Sequence, residues 1–362
     1  MDDRRYPHPA LDPDRPTGLL LCGMGGPDGP EAVEPFLRNL FADPRILPVP
    51  RWLSPLLGRV VSRRRAPTAR RRYALMDAAG GSPQLAWTRR QAVRLGDLLD
   101  RRGVAVHPHP CFRYWHPRAR EAVAAVIAAG AEQVLLVSLY PQFADAVGGS
   151  GLDDALQAVW DVCPSLAVHV VSDWHRLPGY LDAVTASLAA LLRPWSRAGA
   201  PPAACAALLA AHSLPRRFVE RGDPYPQRVA ATAAAVRRRL HVLAAREGWG
   251  DWLSGLAGDG PGLAFQSRVG PIAWLEPDLA DATRRLAAAG VRRLAVQPLS
   301  FTCEHIETLV ELDVELKETA ATAGIAHFAR GPALNLDERW LSSLADHLAA
   351  AAFRRRKEAH RG

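Results

Sequence analysis

Paired cysteines are missing from this sequence. Its cysteines occur singly, with no CxxC spacing, at Cys22, Cys111, Cys163, Cys205 and Cys303. This pattern argues against a zinc ribbon, a local iron–sulfur motif and a dense disulfide framework, and it is typical of a protein from a reducing cytosol.

Long apolar runs are missing as well. The sequence has no stretch of about 18 apolar residues, which a membrane-spanning helix requires. Segment 1–18 is rich in proline and charge and has no apolar core of signal-peptide length. We therefore expect a cytoplasmic protein with no visible secretion signal and no membrane span.

The sequence is basic, but no nucleic-acid-binding motif accompanies the charge. The formal net charge is +8, and basic residues cluster at 63–65, 70–72 and 354–357. These clusters contain no interleaved aromatic residues, and paired Cys/His spacings are absent from the sequence. We expect no nucleic-acid partner, which leaves an anionic small molecule or an anionic membrane surface.

Apolar strands alternate with helical segments along the chain. The stretches "TGLLLCGMGG" (17–26) and "EQVLLVSLYP" (132–141) are apolar strands bounded by helical segments. Strands that are apolar throughout and separated by helices are typical of parallel sheets covered on both faces. The sequence therefore predicts an α/β protein.

The two halves of the chain share one pattern. Segments 128–143 and 288–302 both contain a helix end, a glycine and an apolar strand. We predict one domain over residues 1–180, completed by a C-terminal helix over 335–362, and a second domain over 181–334. Segment 245–262 has the character of an insertion, and its residues indicate no chemistry.

A histidine ends one of the predicted strands. The segment "CAALLAAH" places His212 at the C-terminal end of a strand, directly before a turn that begins at Ser213. Parallel α/β sheets bind ligands at this edge, and an imidazole exchanges protons near neutral pH. Placement alone leaves two interpretations open, a reactive histidine or a structural one with satisfied ring nitrogens.

The segment "FTCEHIETLVELDVELKE" (301–318) is rich in carboxylates. Its candidate residues are Glu304, His305, Glu307, Glu311 and Glu315. The last three glutamates recur every four residues, which predicts one acidic face on a helix; a merely solvated face is the alternative. Asp313 lies near the apolar stripe, where an unpaired carboxylate is costly.

Two further loops contain candidate binding groups. "CFRYWHP" places Arg113 and Tyr114 after a predicted strand, where an arginine either holds a carboxylate or lies at the surface. Tyr140 follows another strand, ahead of a small-residue turn at 148–151 that suits an anion or an ordinary helix N-cap.

Residues 52–65, which we name the lip, combine apolar side chains with arginines. Trp52, Leu56 and Val60 are among the apolar residues, and the arginines increase in number toward the end of the segment. This composition is typical of peripheral contact with an anionic membrane. A helix packed onto the body of the protein is the equal alternative.

Together the motifs resemble those of the ferrochelatase family. The resemblance covers most of the chain, and HSLP and HIETL are its most specific elements. The segments that carry it are "GGPDGPEAVEPFLRNLFADPRI", "GGSPQLAWTRRQA", "FRYWHP", "YPQF", "AHSLPRRFVERGDPYPQ", "FQSRVGPIAWLEP" and "FTCEHIETLVELDVE". Two positions depart from the family pattern: Gly23-Met24-Gly25 replaces Asn-Leu-Gly, and Glu304 stands where Asp is usual.

The resemblance implies two Rossmann-like domains with a porphyrin cleft between them. It implies a lyase of haem biosynthesis that inserts Fe(II) into the porphyrin. His212 would then accept pyrrole protons or handle the metal, with Glu307 as its acidic partner, and both would contact the metal. His305, Glu311 and Glu315 would form a path for protons or metal. The implied substrate-binding residues are Arg113, Tyr114, Tyr140 and Trp274.

The porphyrin itself is not decided by the motifs. Family members use protoporphyrin IX or the tetracarboxylate coproporphyrin III, and the lip resembles that of membrane-associated members that use protoporphyrin IX, which favours that substrate. A non-catalytic tetrapyrrole carrier is the alternative from another class, although a carrier needs neither His212 nor Glu307. We expect porphyrin and Fe(II) as substrates, and no cofactor or iron–sulfur cluster.

Overall fold

Two parallel sheets organise the chain, each built from strands that are apolar along most of their length. The computed structural model describes residues 5–46, 49–50, 52–76, 80–258 and 260–353. The chain divides into two units: the first runs to Leu177 and resumes at Leu341, and the second comprises Pro178–Trp340. Each unit contains one four-stranded sheet.

The first unit surrounds a sheet with the strand order β2-β1-β3-β4, in which every neighbouring pair is parallel. All residues of β1 and β3 are buried, so helices cover both faces. Its elements are β1 (Thr17–Gly23), α1 (Val33–Phe41), α2 (Ser54–Ala74), α3 (Gln84–Asp100), β2 (Val106–Phe112), α4 (Ala119–Ala128), β3 (Gln133–Ser138), α5 (Ser150–Val162) and β4 (Ala167–Val171).

The second unit has the corresponding order β6-β5-β7-β8, again parallel throughout. Its elements are α6 (Pro178–Arg197), β5 (Cys205–His212), α7 (Arg216–Glu220), α8 (Tyr225–Arg246), α9 (Gly250–Ser254), β6 (Gly262–Gln266), α10 (Leu279–Ala288), β7 (Arg293–Pro298), α11 (Ile306–Leu309), α12 (Lys317–Thr322), β8 (His327–Arg330) and the start of α13 (Glu338–Ala352). The shared strand order confirms the predicted α/β class with two similar Rossmann-like halves.

The C-terminal helix is shorter than the predicted span of 335–362. It begins at Glu338 and ends at Ala352, and residues 354–362 lie outside the described part of the chain. Its later turns pack within the first unit, where Arg102 Nε donates to Asp346 Oδ1 at 2.7 Å. None of the helices in the described ranges is long and apolar enough to cross a bilayer.

Segment 245–262, predicted to be an insertion, packs onto the second unit. It contains α9, and Leu253 is fully buried. The indole nitrogen of Trp252 donates to Ala200 O at 2.7 Å. These contacts give the segment a structural role, and its described residues add no group to the site.

Helix α2, which carries most of the lip, packs through small side chains. Ser54, Gly58, Ser62 and Ala66 recur every four residues and are buried. A Cβ at Gly58 would lie 3.0 Å from Ala42 N, so the close approach to the end of α1 requires glycine there. Because small residues face inward along this part of α2, the larger Leu56 and Val60 are left at the surface.

Candidate active site

His212 lies at the C-terminal end of β5, the central strand that pairs with both β6 and β7. Its Nδ1 is 2.6 Å from Ser213 O. A carbonyl oxygen only accepts, so Nδ1 carries a proton, and in the neutral ring Nε2 is the acceptor. The half-buried ring therefore presents a basic nitrogen at the ligand-binding edge of the sheet.

The backbone of His212 is fixed by a buried tyrosine. Tyr225 Oη donates to His212 O at 2.9 Å. Tyr225 Oη is also 2.9 Å from Ser300 Oγ. Because the tyrosine proton is donated to His212 O, Tyr225 Oη accepts from the Ser300 hydroxyl. Tyr225 thus joins α8 to the end of β5 and to the residue two positions after β7.

Phe301 brings the two candidate histidines to one place. Its buried ring lies edge-on to His305, with the ring centroids 4.4 Å apart, and edge-on to His212, at 6.4 Å. The two imidazoles therefore flank one apolar ring, although 93 residues separate them in the sequence (305 − 212).

His305 and Glu307 form an ion pair. His305 Nδ1 is 3.0 Å from Glu307 Oε2, without the alignment of a hydrogen bond, and the side chains are 11% and 22% exposed. Burial acts to lower the pKa of His305, but the carboxylates, Glu307 first, outweigh it and raise that pKa. Burial acts to raise the pKa of Glu307, but His305 and then His212 outweigh it and hold that pKa well below its usual range.

A π-helical turn interrupts the predicted acidic helix. Helix α11 ends at Leu309 and is followed by a π-helical turn, Glu311–Leu316, in which Glu315 N donates to Val310 O at 2.9 Å. Leu312 and Leu316, four residues apart, are both buried in this turn, whereas Glu315 is exposed. That Glu307, Glu311 and Glu315 share one face stays a prediction.

Glu311 is bound to the end of β6 rather than solvated. Gln266 Nε2 donates to Glu311 Oε2 at 3.0 Å and to Glu307 O at 2.7 Å. The hydroxyl of Ser267 also donates to Glu311. Ser267 has a φ of 69°, a left-handed conformation that is unusual for serine and indicates local strain at the site.

Asp313, the carboxylate whose burial would be costly without a partner, is paired. Arg330 Nε donates to Asp313 Oδ1 at 2.9 Å. Arg330 Nη1 donates to Glu304 Oε1 at 2.6 Å. One guanidinium therefore joins two carboxylates that flank the His305–Glu307 pair in the sequence.

Trp274 lies beside the turn that follows His212. It forms an antiparallel bridge with Pro215, and Leu275 N donates to Leu214 O at 3.0 Å. The indole nitrogen of Trp274 is buried with no hydrogen-bond partner among the described residues. The predicted loop is thus adjacent to the His212 turn within the second unit.

The remaining predicted binding residues belong to the first unit and gather at its glycine loop. Arg113 N donates to Gly23 O and Tyr114 N donates to Met24 O, both at 2.9 Å. Met24 N donates to Tyr140 Oη at 3.0 Å. Three segments that are distant in the sequence therefore meet at the C-terminal ends of neighbouring strands.

Arg113 holds two carboxylates of the protein itself. Its Nη2 is 3.2 Å from Asp43 Oδ2 and its Nη1 is 3.1 Å from Asp154 Oδ1, while Nε donates to Ser150 Oγ at 2.9 Å. Tyr114 is 1% exposed and donates to Asp43 Oδ2 at 2.9 Å. Burial acts to raise the pKa of Asp43, but Ser150, Arg113 and other donors outweigh it and lower that pKa.

Several site residues were not found from the sequence. Asp43 and Gln266 lie inside motif segments of the family resemblance, and nothing else in the sequence indicated a role for them. Arg330 stands outside every quoted motif and had no signal of its own. Across the described ranges, groups of three or more His, Cys, Asp or Glu arranged to hold a metal ion are absent. The predicted metal-contacting set, His212 and Glu307, is a pair rather than a closed ligand cage.

Comparison with known proteins gives consistent matches. The family model described as Ferrochelatase matches residues 16–352. The ferrochelatase of Thermosynechococcus vestitus is 39% identical over 339 residues, covering 91% of this chain and 80% of that protein. The ferrochelatase of Gloeobacter violaceus is 38% identical over 336 residues, covering 91% of this chain and 96% of that protein.

Solved structures also match. SirB from Bacillus subtilis with Fe3+ has a TM-score of 0.48 at 14% identity, covering 73% of this chain and 89% of that chain. CbiX, described as the terminal enzyme of sirohaem biosynthesis in denitrifying bacteria, has a TM-score of 0.46 at 16% identity, covering 74% and 92% of the two chains.

Proposed function

The chain belongs to the ferrochelatase family. We propose that His212 accepts the pyrrole protons that are released when the protein inserts Fe(II) into a porphyrin. Insertion releases two protons for each metal ion, so the enzyme needs a base close to the pyrrole nitrogens. A neutral imidazole suits this task near neutral pH.

The contact of His212 Nδ1 with Ser213 O is the observation that carries the proposal. The Nδ1 proton of His212 is held by Ser213 O at 2.6 Å, so in the neutral ring Nε2 is the acceptor. The Tyr225 hydroxyl holds the carbonyl of the same residue. A structural histidine with both ring nitrogens hydrogen-bonded to protein would leave no acceptor, and among the described residues Nε2 has no such bond assigned.

Glu307 and His305 act as the partners of this base. Glu307 remains ionised because His305 and His212 lower its pKa, so it stabilises positive charge that develops on His212. The carboxylate and the neutral imidazole are also ligand types that divalent iron accepts. Glu311 accepts a hydrogen bond from Gln266, and Glu315 is exposed. Together with His305 they form the proposed path for protons or metal.

The test is anaerobic insertion of Fe(II), followed by the change in porphyrin absorbance. His212→Ala is expected to lose insertion by at least about a hundredfold, the usual contribution of a general base. His241→Ala, which removes an exposed histidine of α8, is the matched control and should insert metal at the wild-type rate. Near-normal insertion by His212→Ala would contradict the proposal. Tight porphyrin binding by the wild type without insertion would favour a carrier.

Protoporphyrin IX is the proposed porphyrin. The exposed apolar lip supports this choice, because a dicarboxylate with an apolar periphery partitions toward membranes more readily than a tetracarboxylate. Parallel turnover assays with protoporphyrin IX and coproporphyrin III test it, and a strong preference for coproporphyrin III would overturn it. Porphyrin and Fe(II) are the substrates, and we propose that no further cofactor is needed. Metal and sulfide analysis of the purified protein should then find no iron–sulfur cluster.

The lip is the proposed contact with an anionic membrane. Trp52 is 80% exposed, Leu56 59% and Val60 48%, although each is large and apolar. The arginines at 63–65 are exposed on α2, as are Leu56 and Val60, and they supply the attraction to anionic headgroups. The small residues that pack α2 explain why this apolar surface faces outward.

Vesicle sedimentation tests the membrane contact. The wild type should bind phosphatidylglycerol vesicles more tightly than phosphatidylcholine vesicles, and Trp52→Ser should weaken that binding. Trp160→Ser removes another exposed tryptophan, which is 42% exposed in α5, and is the matched control. Equal binding by the wild type and Trp52→Ser would contradict the proposed role of the lip.

A further inference from the structure

We propose that Arg330 is a positioning residue for metal insertion, because it holds both ends of segment 304–313, which carries His305 and Glu307. The inference rests on the proposed function of that pair. Arg330 is the last residue of β8, and its side chain is 11% exposed. It is named in none of the roles that the family motifs imply.

The guanidinium makes two separate contacts. On one side Nη1 donates to Glu304 Oε1 at 2.6 Å. On the other side Nε donates to Asp313 Oδ1 at 2.9 Å, and Nη2 donates to Asp313 Oδ2. This forked arrangement needs the planar guanidinium, which a lysine ammonium cannot reproduce.

Each contact fixes one end of the segment. Glu304 directly precedes His305, and its Oε1 also accepts from Ala333 N at 3.0 Å, while its backbone N donates to Asn335 Oδ1 at 3.1 Å. Asp313 lies at the other end, inside the π-helical turn. The site residues between these ends are therefore held to β8 and the loop after it at two points.

The contacts of Arg330 with Glu304 and Asp313, which we name the clamp, also balance charge where carboxylates are crowded. Segment 304–315 contains Glu304, Glu307, Glu311, Asp313 and Glu315. Arg330 neutralises two of them, Glu304 and Asp313, to which no chemistry is assigned. Without the guanidinium, Glu304 would be a buried carboxylate that has lost its hydrogen-bonded cation, and its repulsion of Glu307 would displace the segment.

The test compares Arg330→Lys and Asp313→Asn with the wild type in the anaerobic insertion assay. Arg330→Lys keeps the charge but loses the fork, and we expect kcat to fall at least about tenfold, since small displacements of reacting groups are costly. Asp313→Asn releases only the far end, so a smaller loss of about threefold or more is expected. The KM for porphyrin should stay within about twofold in both, because the clamp is proposed to place groups that react rather than groups that bind.

The matched control is Arg193→Lys. Arg193 makes a comparable forked pair with Glu247 in the same unit, with Nε–Oε2 and Nη2–Oε1 distances of 2.7 and 2.8 Å. This variant should retain the wild-type kcat and KM. A kcat within twofold of the wild type in both Arg330→Lys and Asp313→Asn would overturn the proposal, as would losses matched by Arg193→Lys.

The clamp and the proposed function fail in different ways. If His212→Ala inserts metal normally, the role of His212 is wrong, whatever the clamp variants do. If His212→Ala is inactive while Arg330→Lys and Asp313→Asn keep the wild-type kcat, only the clamp is wrong. Should Arg330→Lys not fold, Asp313→Asn decides alone, because Asp313 is 37% exposed and its replacement leaves Arg330 paired with Glu304.

Discussion

Glu307 Oε2 lies 3.0 Å from His305 Nδ1, and the ring of Phe301 is edge-on to both His305 and His212. The two histidines therefore lie against one aromatic ring, and the proposed function gives them different tasks. The carboxylates around His305, Glu307 first, outweigh its burial and raise its pKa, whereas Nδ1 of His212 is 2.6 Å from Ser213 O.

Replacing Glu307 with Gln should lower the pKa of His305. Burial acts to lower the pKa of His305, and Glu307 is the main group that opposes it. Without the charge of Glu307, the effect of burial on this pKa is less opposed. Titration of the His305 ring signals by NMR in the wild type and in Glu307→Gln measures the shift. An unchanged pKa of His305 in Glu307→Gln would show that other carboxylates dominate.

The His305–Glu307 pair should stabilise the fold within a limited pH window. The pKa of Glu307 is lowered from 4.5, so its contribution is present above pH 4.5 and is lost as pH falls through the lowered value. The pKa of His305 is raised from 6.5, so its contribution is present below pH 6.5 and is lost as pH rises through the raised value. Both contributions are therefore complete between these two pH values.

Urea unfolding of the wild type and Glu307→Gln across pH 3–9 measures this window. Between pH 4.5 and pH 6.5 we expect the wild type to be more stable than Glu307→Gln by about 1–2 kcal/mol. This value is intermediate between the contributions of exposed and of fully buried ion pairs. The difference should shrink on both sides. A difference that grows steadily with pH above 7 would contradict the assignment of the pair.

Tyr225→Phe should reduce both stability and insertion. It removes the hydroxyl that holds His212 O and Ser300 Oγ, at a cost of about 1–2 kcal/mol in the free energy of unfolding. The control is Tyr180→Phe, which removes a similar buried hydrogen bond, to Leu299 O at 2.8 Å. Comparable destabilisation is expected in both variants, but only Tyr225→Phe should lower kcat several-fold. Equal kcat values would mean that Tyr225 does not position His212.

Asp43→Ala should destabilise the first unit strongly. It leaves Arg113 with one fewer carboxylate and Tyr114 Oη without its acceptor, and breaking such a buried pair costs about 3–5 kcal/mol. Tyr114→Phe removes one hydrogen bond and should cost about 1–2 kcal/mol. Chemical denaturation measures both. If Asp43→Ala is no more destabilising than Tyr114→Phe, the Arg113–Asp43 contact contributes little.

Local patterns in the sequence identified the strands and the ends that carry chemistry. The apolar run "CAALLAAH" corresponds to β5, Cys205–His212, because a buried parallel strand needs an apolar sequence and its end needs a turn. The same reasoning placed Glu307 in the turn after β7. These features depend on residues close together in the chain.

Features that depend on distant partners were not accessible in this way. The π-helical turn at Glu311–Leu316 adds a residue to the helical repeat, and the four-residue spacing of the glutamates gave no sign of it. The pairing of Asp313 with Arg330 and of Arg113 with Asp43 joins different elements. Side-chain pairs of this kind are set by the tertiary packing of each unit.

The central claim is that His212 acts on bound porphyrin rather than in binding it. The direct measurement is single-turnover insertion of Fe(II) into porphyrin already bound to His212→Ala, under anaerobic conditions, alongside the porphyrin Kd from fluorescence. The account predicts a Kd within about threefold of the wild type and a single-turnover rate at least about a hundredfold lower. A wild-type rate on bound porphyrin, with only the Kd weakened, would contradict it.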